Sequence, residues 1–169
     1  MRLAVLLLAV TALVAPASPA ATKPDLPCDH LKGLKEYPGD QAAPAAIAQW
    51  MAYHAIKASL PPELPVMAAL VESGLRNLPP GDADSAGYFQ MRTGIWDSGP
   101  YAGFPTNPQL QIKWFVDQAL LAGERRLAAG LDVGEASWGE WIADVERPAE
   151  SERYRYQLRL DEARRLLCR

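Results

Sequence analysis

The chain has 169 residues, 49% of them hydrophobic and 22% charged, a composition that suits one globular domain and excludes a disordered tract. Lys and Arg number 17 against 20 Asp and Glu, a formal net charge of −3. That balance argues against a general nucleic-acid binder and against electrostatic docking on anionic membranes.

In chain order, residues 1–20 read as an export signal. Arg2 supplies the positive start and Leu3 to Val14 the apolar run. Ala15-Pro16-Ala17 and Ser18-Pro19-Ala20 put small residues at cleavage spacing. An uncleaved anchor is the alternative, but the run is short for a membrane span. Cleavage leaves no stable membrane anchor and a protein outside the cytoplasm, in the periplasm or at the cell wall. Export gives meaning to the 2 cysteines. Cys28 and Cys168 lie at opposite ends of the mature chain, and an oxidising compartment favours a bridge between them over two unpaired thiols. Closing so long a loop is worth at most about 4–5 kcal/mol in the chain-entropy picture.

Residues 21–43 lack periodicity and read as an irregular N-terminal arm. Pro44 opens a helix carrying Ile47, Trp50, Met51 and His54, which Pro61-Pro62 ends. Pro65 opens a second, through Val66, Met67, Ala69, Leu70 and Val71 to a stop at Gly74. Asn77 to Asp84 has loop composition. Gly87 to Met91 is a turn or short extended piece, and Gly94 to Pro105 an aromatic-rich loop. Asn107-Pro108 is an N-cap followed by a first-turn proline. The helix it starts runs to Gly130 with Leu110, Trp114, Phe115, Gln118, Leu121 and Leu127 along it. Glu135 to Asp144 is a short helix with Trp138, Trp141 and Ile142. Pro148 opens the last helix, where Tyr154, Leu158 and Leu160 to Leu167 alternate with a solvated Arg and Glu face. There is no convincing strand and no repeat. The expectation is a mainly α fold, one domain over residues 44–169.

Glu72 is the only ionisable side chain between Val66 and Leu75. If that helix face is buried, the carboxyl loses hydration, holds its proton to higher pH and can donate it. A solvated glutamate on an exposed face is the alternative. Neither His30 nor His54 has neighbours at a spacing that suits a metal site or a nucleophile pair.

The stretch Val71-Glu72-Ser73-Gly74-Leu75-Arg76-Asn77, with Gly87-Tyr88-Phe89-Gln90-Met91 after it, resembles the lysozyme-like lytic transglycosylase domain family. Tyr88 stands where the family usually has Leu. Pro61-Pro62-Glu63-Leu64-Pro65 is similar to the family's entry into its catalytic helix, and Asn107 to Leu121 to a later helix. The resemblance implies a lysozyme-like domain whose aromatic loops form a substrate cleft. It also implies Glu72 as the general acid, then base, on the β-1,4 bond between N-acetylmuramic acid and N-acetylglucosamine. One carboxyl suffices there, because the sugar's own 6-hydroxyl attacks and closes a 1,6-anhydro ring. Ser73 supports the acid or ties down the helix end, and Gln90 binds substrate or ties down its loop. The same resemblance implies no metal, no cofactor, and a monomer whose partner is the glycan strand of peptidoglycan.

Two rivals follow from the same residues. Goose-type lysozymes are similar in layout and use a loop Asp to position water. Asp82 or Asp84 in that role gives hydrolysis, although Gly-Asp and Asp-Ser are ordinary turn chemistry. The other rival is an inert wall-binding domain on the same scaffold. Many family members carry an Ala-Tyr-Asn tripeptide whose Tyr orients the acid, and this chain has none. By order, Ala136 to Trp141 and Ile142 to Pro148 stand in its place, and a Trp or Ser from there could fill it. Tyr88, Trp96 and Tyr101, with Phe89 and Phe104, supply rings that can stack on sugar faces or pack the core. Phe89, Trp50 and Trp114 are read as core.

Overall fold

The computed structural model describes residues 33–81 and 84–168. The leader at 1–20, Cys28 and Asp82 lie outside the described residues, so neither the export reading nor the Cys28–Cys168 pairing is decided by the fold.

Helix α1 spans Pro44–Lys57, with its proline in the first turn where no N–H partner is needed. Helix α2 spans Glu63–Glu72 and starts two residues before the expected Pro65. A proline is tolerated there for the same reason, because the first turn's N–H groups have no partner inside the helix. Residues Glu63 to Ala69 of α2 are all buried. A helix hydrophobic on every side belongs at the centre of a helical fold, and α1, α5 and Leu160–Leu167 (α6) pack around it.

The absence of strands needs a small correction. Ser85–Ala86 (β1) and Met91–Arg92 (β2) pair antiparallel, Ser85 opposite Arg92 and Ala86 opposite Met91. Gly87 to Gln90 make the connecting turn, with Gly87 at φ 80° and Gln90 at φ 46°. The expected loop from Gly94 to Pro105 contains short helical turns: Thr93–Trp96 (α3) and 3₁₀ turns at Gly99–Tyr101 and Phe104–Thr106.

Helix α4, Pro108–Ala128, begins as its sequence dictates. The Asn107 side chain accepts the Gln109 N–H at 3.1 Å and Pro108 follows it. Its inward face differs from the expected stripe. Gln111, Ile112, Trp114, Phe115, Ala119, Ala122, Gly123 and Arg126 are buried, whereas Leu121 and Leu127 are exposed. Helix α5, Trp138–Glu146, follows a 3₁₀ turn at Glu135–Ser137 and crosses α4 closely. A Cβ on Gly123 would stand 2.6 Å from the Trp141 ring, whose indole N–H donates to the Ala119 carbonyl at 2.8 Å.

The last expected helix is also corrected. Residues after Pro148 form 3₁₀ turns at Glu150–Arg155 and Gln157–Arg159, and only α6 is α-helical. Three residues per turn instead of 3.6 rotate the inward face. Tyr154 and Leu158, placed on the apolar stripe by helical spacing, are 61% and 70% exposed, while Tyr156 is 1% exposed. The charged face is not merely solvated either. Arg164 of α6 reaches the buried Glu63 of α2 at 3.4 Å and Glu135 at 2.6 Å.

The described part of the N-terminal arm is irregular, as expected, but it is docked. Tyr37 packs edge-on against Trp50 with centroids 4.8 Å apart. Its hydroxyl lies 2.8 Å from that of Tyr88 and donates to Asp40. Among the described residues, no helix is long and apolar enough to cross a membrane.

Candidate active site

Glu72 is the last residue of α2, and the turn after it sets its direction. Gly74 and Leu75 both take positive φ, 64° and 58°. The N–H groups of Ser73 and Leu75 return to the Ala69 carbonyl at 3.0 and 3.1 Å. Leu75 is thereby folded into the core. This closed turn leaves Glu72 at the rim of the buried helix, half-buried itself. Burial pushes its carboxyl above the ordinary range, and a hydrogen bond from Tyr156 and the charge of Arg155 pull against that.

The Tyr156 hydroxyl donates to Glu72 Oε1 at 2.5 Å. Burial and the charge of Glu72 push its own ionisation upward, so the phenol keeps its proton and remains a donor. The sequence offered Trp or Ser for this position; the residue in contact is a tyrosine from further along the chain. What lets it arrive is Gly139 on α5. A Cβ there would stand 2.6 Å from Gln157 Cβ and 2.7 Å from the Gln157 backbone nitrogen. The Gly139 N–H donates to Gln157 Oε1 at 2.7 Å, which fixes the register of the 3₁₀ segment one residue from Tyr156.

A second carboxyl lies on α5, which packs against α2. Glu146 is the last residue of α5, and its Oε1 is enclosed with no hydrogen-bond partner. Burial, then the charge of Glu72, push this carboxyl well up.

The other residues singled out from sequence fall into different roles. The Ser73 hydroxyl is buried, within 2.9 Å of the Tyr88 carbonyl and 3.1 Å of the Ala69 carbonyl. It fastens the end of α2 to the turn of the hairpin. The Gln90 side chain donates to the Gly87 carbonyl at 2.9 Å, within its own turn. Asp84 accepts from Thr93 and from the Gly94 N–H, and has Arg92 at 3.9 Å, which fits the turn reading and not that of a free base. Tyr88 is wholly buried and Tyr101 7% exposed. Neither can offer a ring face to a sugar, which corrects their reading as subsite residues. The Tyr101 hydroxyl instead donates to Asp117 at 2.8 Å. Trp96 is half-buried, edge-on to Tyr101 and Trp114 at 5.9 and 5.4 Å. Phe89 is core as expected, stacked on Phe115 at 4.7 Å.

Gln111 was not singled out from sequence, yet it organises this side of the site. It is fully buried. Its Oε1 accepts the Tyr88 N–H at 2.9 Å, and its Nε2 donates to the Phe104 carbonyl and to Asn77 Oδ1, both at 3.0 Å. One side chain thus satisfies three loops, and it lies where a Cβ on Gly87 would stand, 2.4 Å from its Cδ. The nearest thing to a signal is Gly87 itself, a glycine at positive φ that gives way to a side chain from α4.

A cavity of about 250 Å³ opens between Ala122, Arg125, Arg126, Ala129, Leu131 and Asp144 and includes none of the cluster around Glu72. His54 packs edge-on to Trp50 and Tyr53, and burial lowers its affinity for a proton. Among the described residues no group of His, Cys, Asp and Glu is placed to hold a metal ion. The chain matches no family model, no curated protein and no solved structure.

Proposed function

We propose that this chain is an exported lytic transglycosylase that cleaves peptidoglycan between N-acetylmuramic acid and N-acetylglucosamine. The observation that carries the reading is the hydrogen bond from Tyr156 to Glu72 at the end of a buried helix. It supplies a proton-holding carboxyl together with a neutral donor that steadies the carboxylate once the proton has left. The motif resemblance around Glu72 and Gln90 supplies the substrate class.

In this reading the Glu72 proton passes to the glycosidic oxygen as the bond from the anomeric carbon to that oxygen breaks. The sugar's 6-hydroxyl oxygen attacks the same carbon, and its proton goes to Glu72. No water is consumed, and the carboxyl returns to its starting state. Tyr156 donates to Glu72 in the interval when it is charged. Trp96 is the aromatic of the 93–106 segment still half open to receive a sugar face. Of the two Asp residues in the hydrolytic rival, Asp84 is already committed to Thr93 and Gly94, and Asp82 lies outside the described residues.

The test is mass spectrometry of purified wall digested by the mature protein. Muropeptides one water lighter than hydrolysis products are expected, without new reducing ends. Glu72→Gln is expected to lower the rate at least about 100-fold with the circular dichroism unchanged. Ordinary reducing ends would replace the proposal with hydrolysis, and a folded protein that releases nothing would replace it with wall binding.

A further inference from the structure

The chain turns back at the end of α4 and leaves a hollow there. Gly130 takes φ 70°. The Ala129 N–H returns to the Arg125 carbonyl at 3.0 Å, Gly130 to Leu127 at 3.0 Å and Leu131 to Arg126 at 2.8 Å. The last carbonyls of α4 are thus satisfied by backbone, and neither arginine side chain is needed to cap them. Ala122, Ala129 and Leu131 form the apolar part of the cavity of about 250 Å³, and Arg125, Arg126 and Asp144 its polar part. Arg126 is 7% exposed and is held from two sides. Its Nε donates to the Asp132 carbonyl at 3.1 Å and its Nη1 to Asp144 at 2.7 Å. Asp144 is held by Arg153 as well, also at 2.7 Å. The one carboxylate of the lining is therefore shared by two guanidiniums. Arg125 is exposed and has no acidic partner among the described residues.

We propose that this cavity binds a small carboxylate with a short aliphatic side chain, in the wall the alanine end of a peptidoglycan stem peptide. The carboxylate and the methyl group follow from the lining; naming the stem peptide rests on the transglycosylase reading. The unpaired guanidinium of Arg125 selects an anion, and its planar fork matches a carboxylate through two parallel N–H bonds. Arg126 is fixed before any ligand arrives, so its positive charge is supplied without an ordering cost. The wall of two alanines and a leucine accepts a methyl group and offers no partner to a charged side chain. The volume suits the end of a peptide better than a larger ligand. None of the lining residues belongs to the Glu72 cluster. The site therefore holds a strand by its peptide, apart from the place where its sugars are cut.

The experiment is a ¹H–¹⁵N NMR titration of the full mature protein with acetyl-D-alanyl-D-alanine, alongside wall cleavage. Saturable shifts are expected at Arg125, Ala129 and Leu131, with Glu72 and Tyr156 unmoved. The C-terminal amide of the same dipeptide is expected to bind at least about tenfold more weakly, and so is the acid to Arg125→Gln. Shifts that are absent, or confined to the Glu72 cluster, overturn the proposal. Equal binding of acid and amide overturns it too, as does unchanged affinity in folded Arg125→Gln. If that variant does not fold, the comparison of acid with amide in the wild type decides alone. Tighter binding of acetyl-L-alanyl-L-alanine, or equal shifts with inorganic phosphate, would remove the stem peptide as the ligand and overturn the proposal. If the dipeptide binds as expected and no wall is cleaved, the site stands while the transglycosylase reading falls.

Discussion

The two sides of the Glu72 cluster are held by different forces. On the side of residues 77–106, the loops are tied by buried hydrogen bonds from Gln111 and Ser73, over a floor of Phe89, Phe115 and Trp114. On the side that brings Tyr156, the 3₁₀ segment is held by half-exposed ion pairs, chiefly Arg153 with Glu140 and Asp144 at 2.7 Å, and by its fit over Gly139. Buried hydrogen bonds are costly to break and indifferent to salt, while exposed ion pairs are weak and screened. Glu72 is thus fixed firmly, and its phenol partner is carried by the more yielding part of the molecule.

Breaking the firm side is expected to cost most. Gln111→Ala leaves the Tyr88 N–H, the Phe104 carbonyl and Asn77 without their partner and opens a cavity. A loss of about 3 kcal/mol or more in urea unfolding is expected; a loss under about 1 kcal/mol would mean that water takes the place of the amide.

On the yielding side, Gly139→Ala is expected to cost about 1–3 kcal/mol, because its Cβ meets backbone and not a free side-chain end. The diagnostic is local. The Tyr156 phenol, freed from Glu72, titrates closer to its ordinary range in an ultraviolet difference titration. An unshifted phenol would show that the segment adapts without moving its tyrosine.

A third measurement separates the carboxyls from both scaffolds. Burial raises Glu63, Glu72 and Glu146 in the folded state. The folded protein therefore holds more protons than the unfolded chain once pH passes the ordinary carboxylate range. Stability from these groups is complete below that range and is lost as pH rises through their folded values. Glu146→Gln removes one contributor, so its Tm is expected to exceed the wild type's at pH 8 and to converge with it near about pH 4. Parallel curves from pH 4 to 8 would contradict this.

The smallest effect belongs to the ion pairs. Arg153→Met is expected to cost about 1 kcal/mol or less, and 1 M salt to reduce the difference between the two proteins. Equal sensitivity of Gln111→Ala to salt would erase the contrast between the two sides.

The parts of this molecule legible in sequence are those with local causes. Asn107-Pro108 caps α4 by contacts within three residues, and the Glu-Ser-Gly-Leu turn closes on α2 itself. Glu72 stands out because nothing else between Val66 and Leu75 ionises. Tyr156, Gln111 and Glu146 were missed for a common reason: each acts on residues distant along the chain. Tyr156 was hidden further by period, since a helical reading turns Tyr154 and Leu158 inward and the 3₁₀ turns reverse that choice. Gln111 looked like one polar residue among several on a long helix. Glu146 follows Asp144 in a charged stretch, where burial of one carboxyl and pairing of the other has no local signature.

Distance along the chain has a consequence in time. Tyr156 lies 84 positions after Glu72, and Arg164 lies 101 after Glu63. A polypeptide made from its first residue onward therefore carries Glu72 without its phenol partner until nearly all of it has been synthesised. Contacts of such long separation form late in folding. The pair of Tyr156 with Glu72 is a product of completed folding, so a chain truncated before Tyr156 does not hold a weakened version of that contact but none at all.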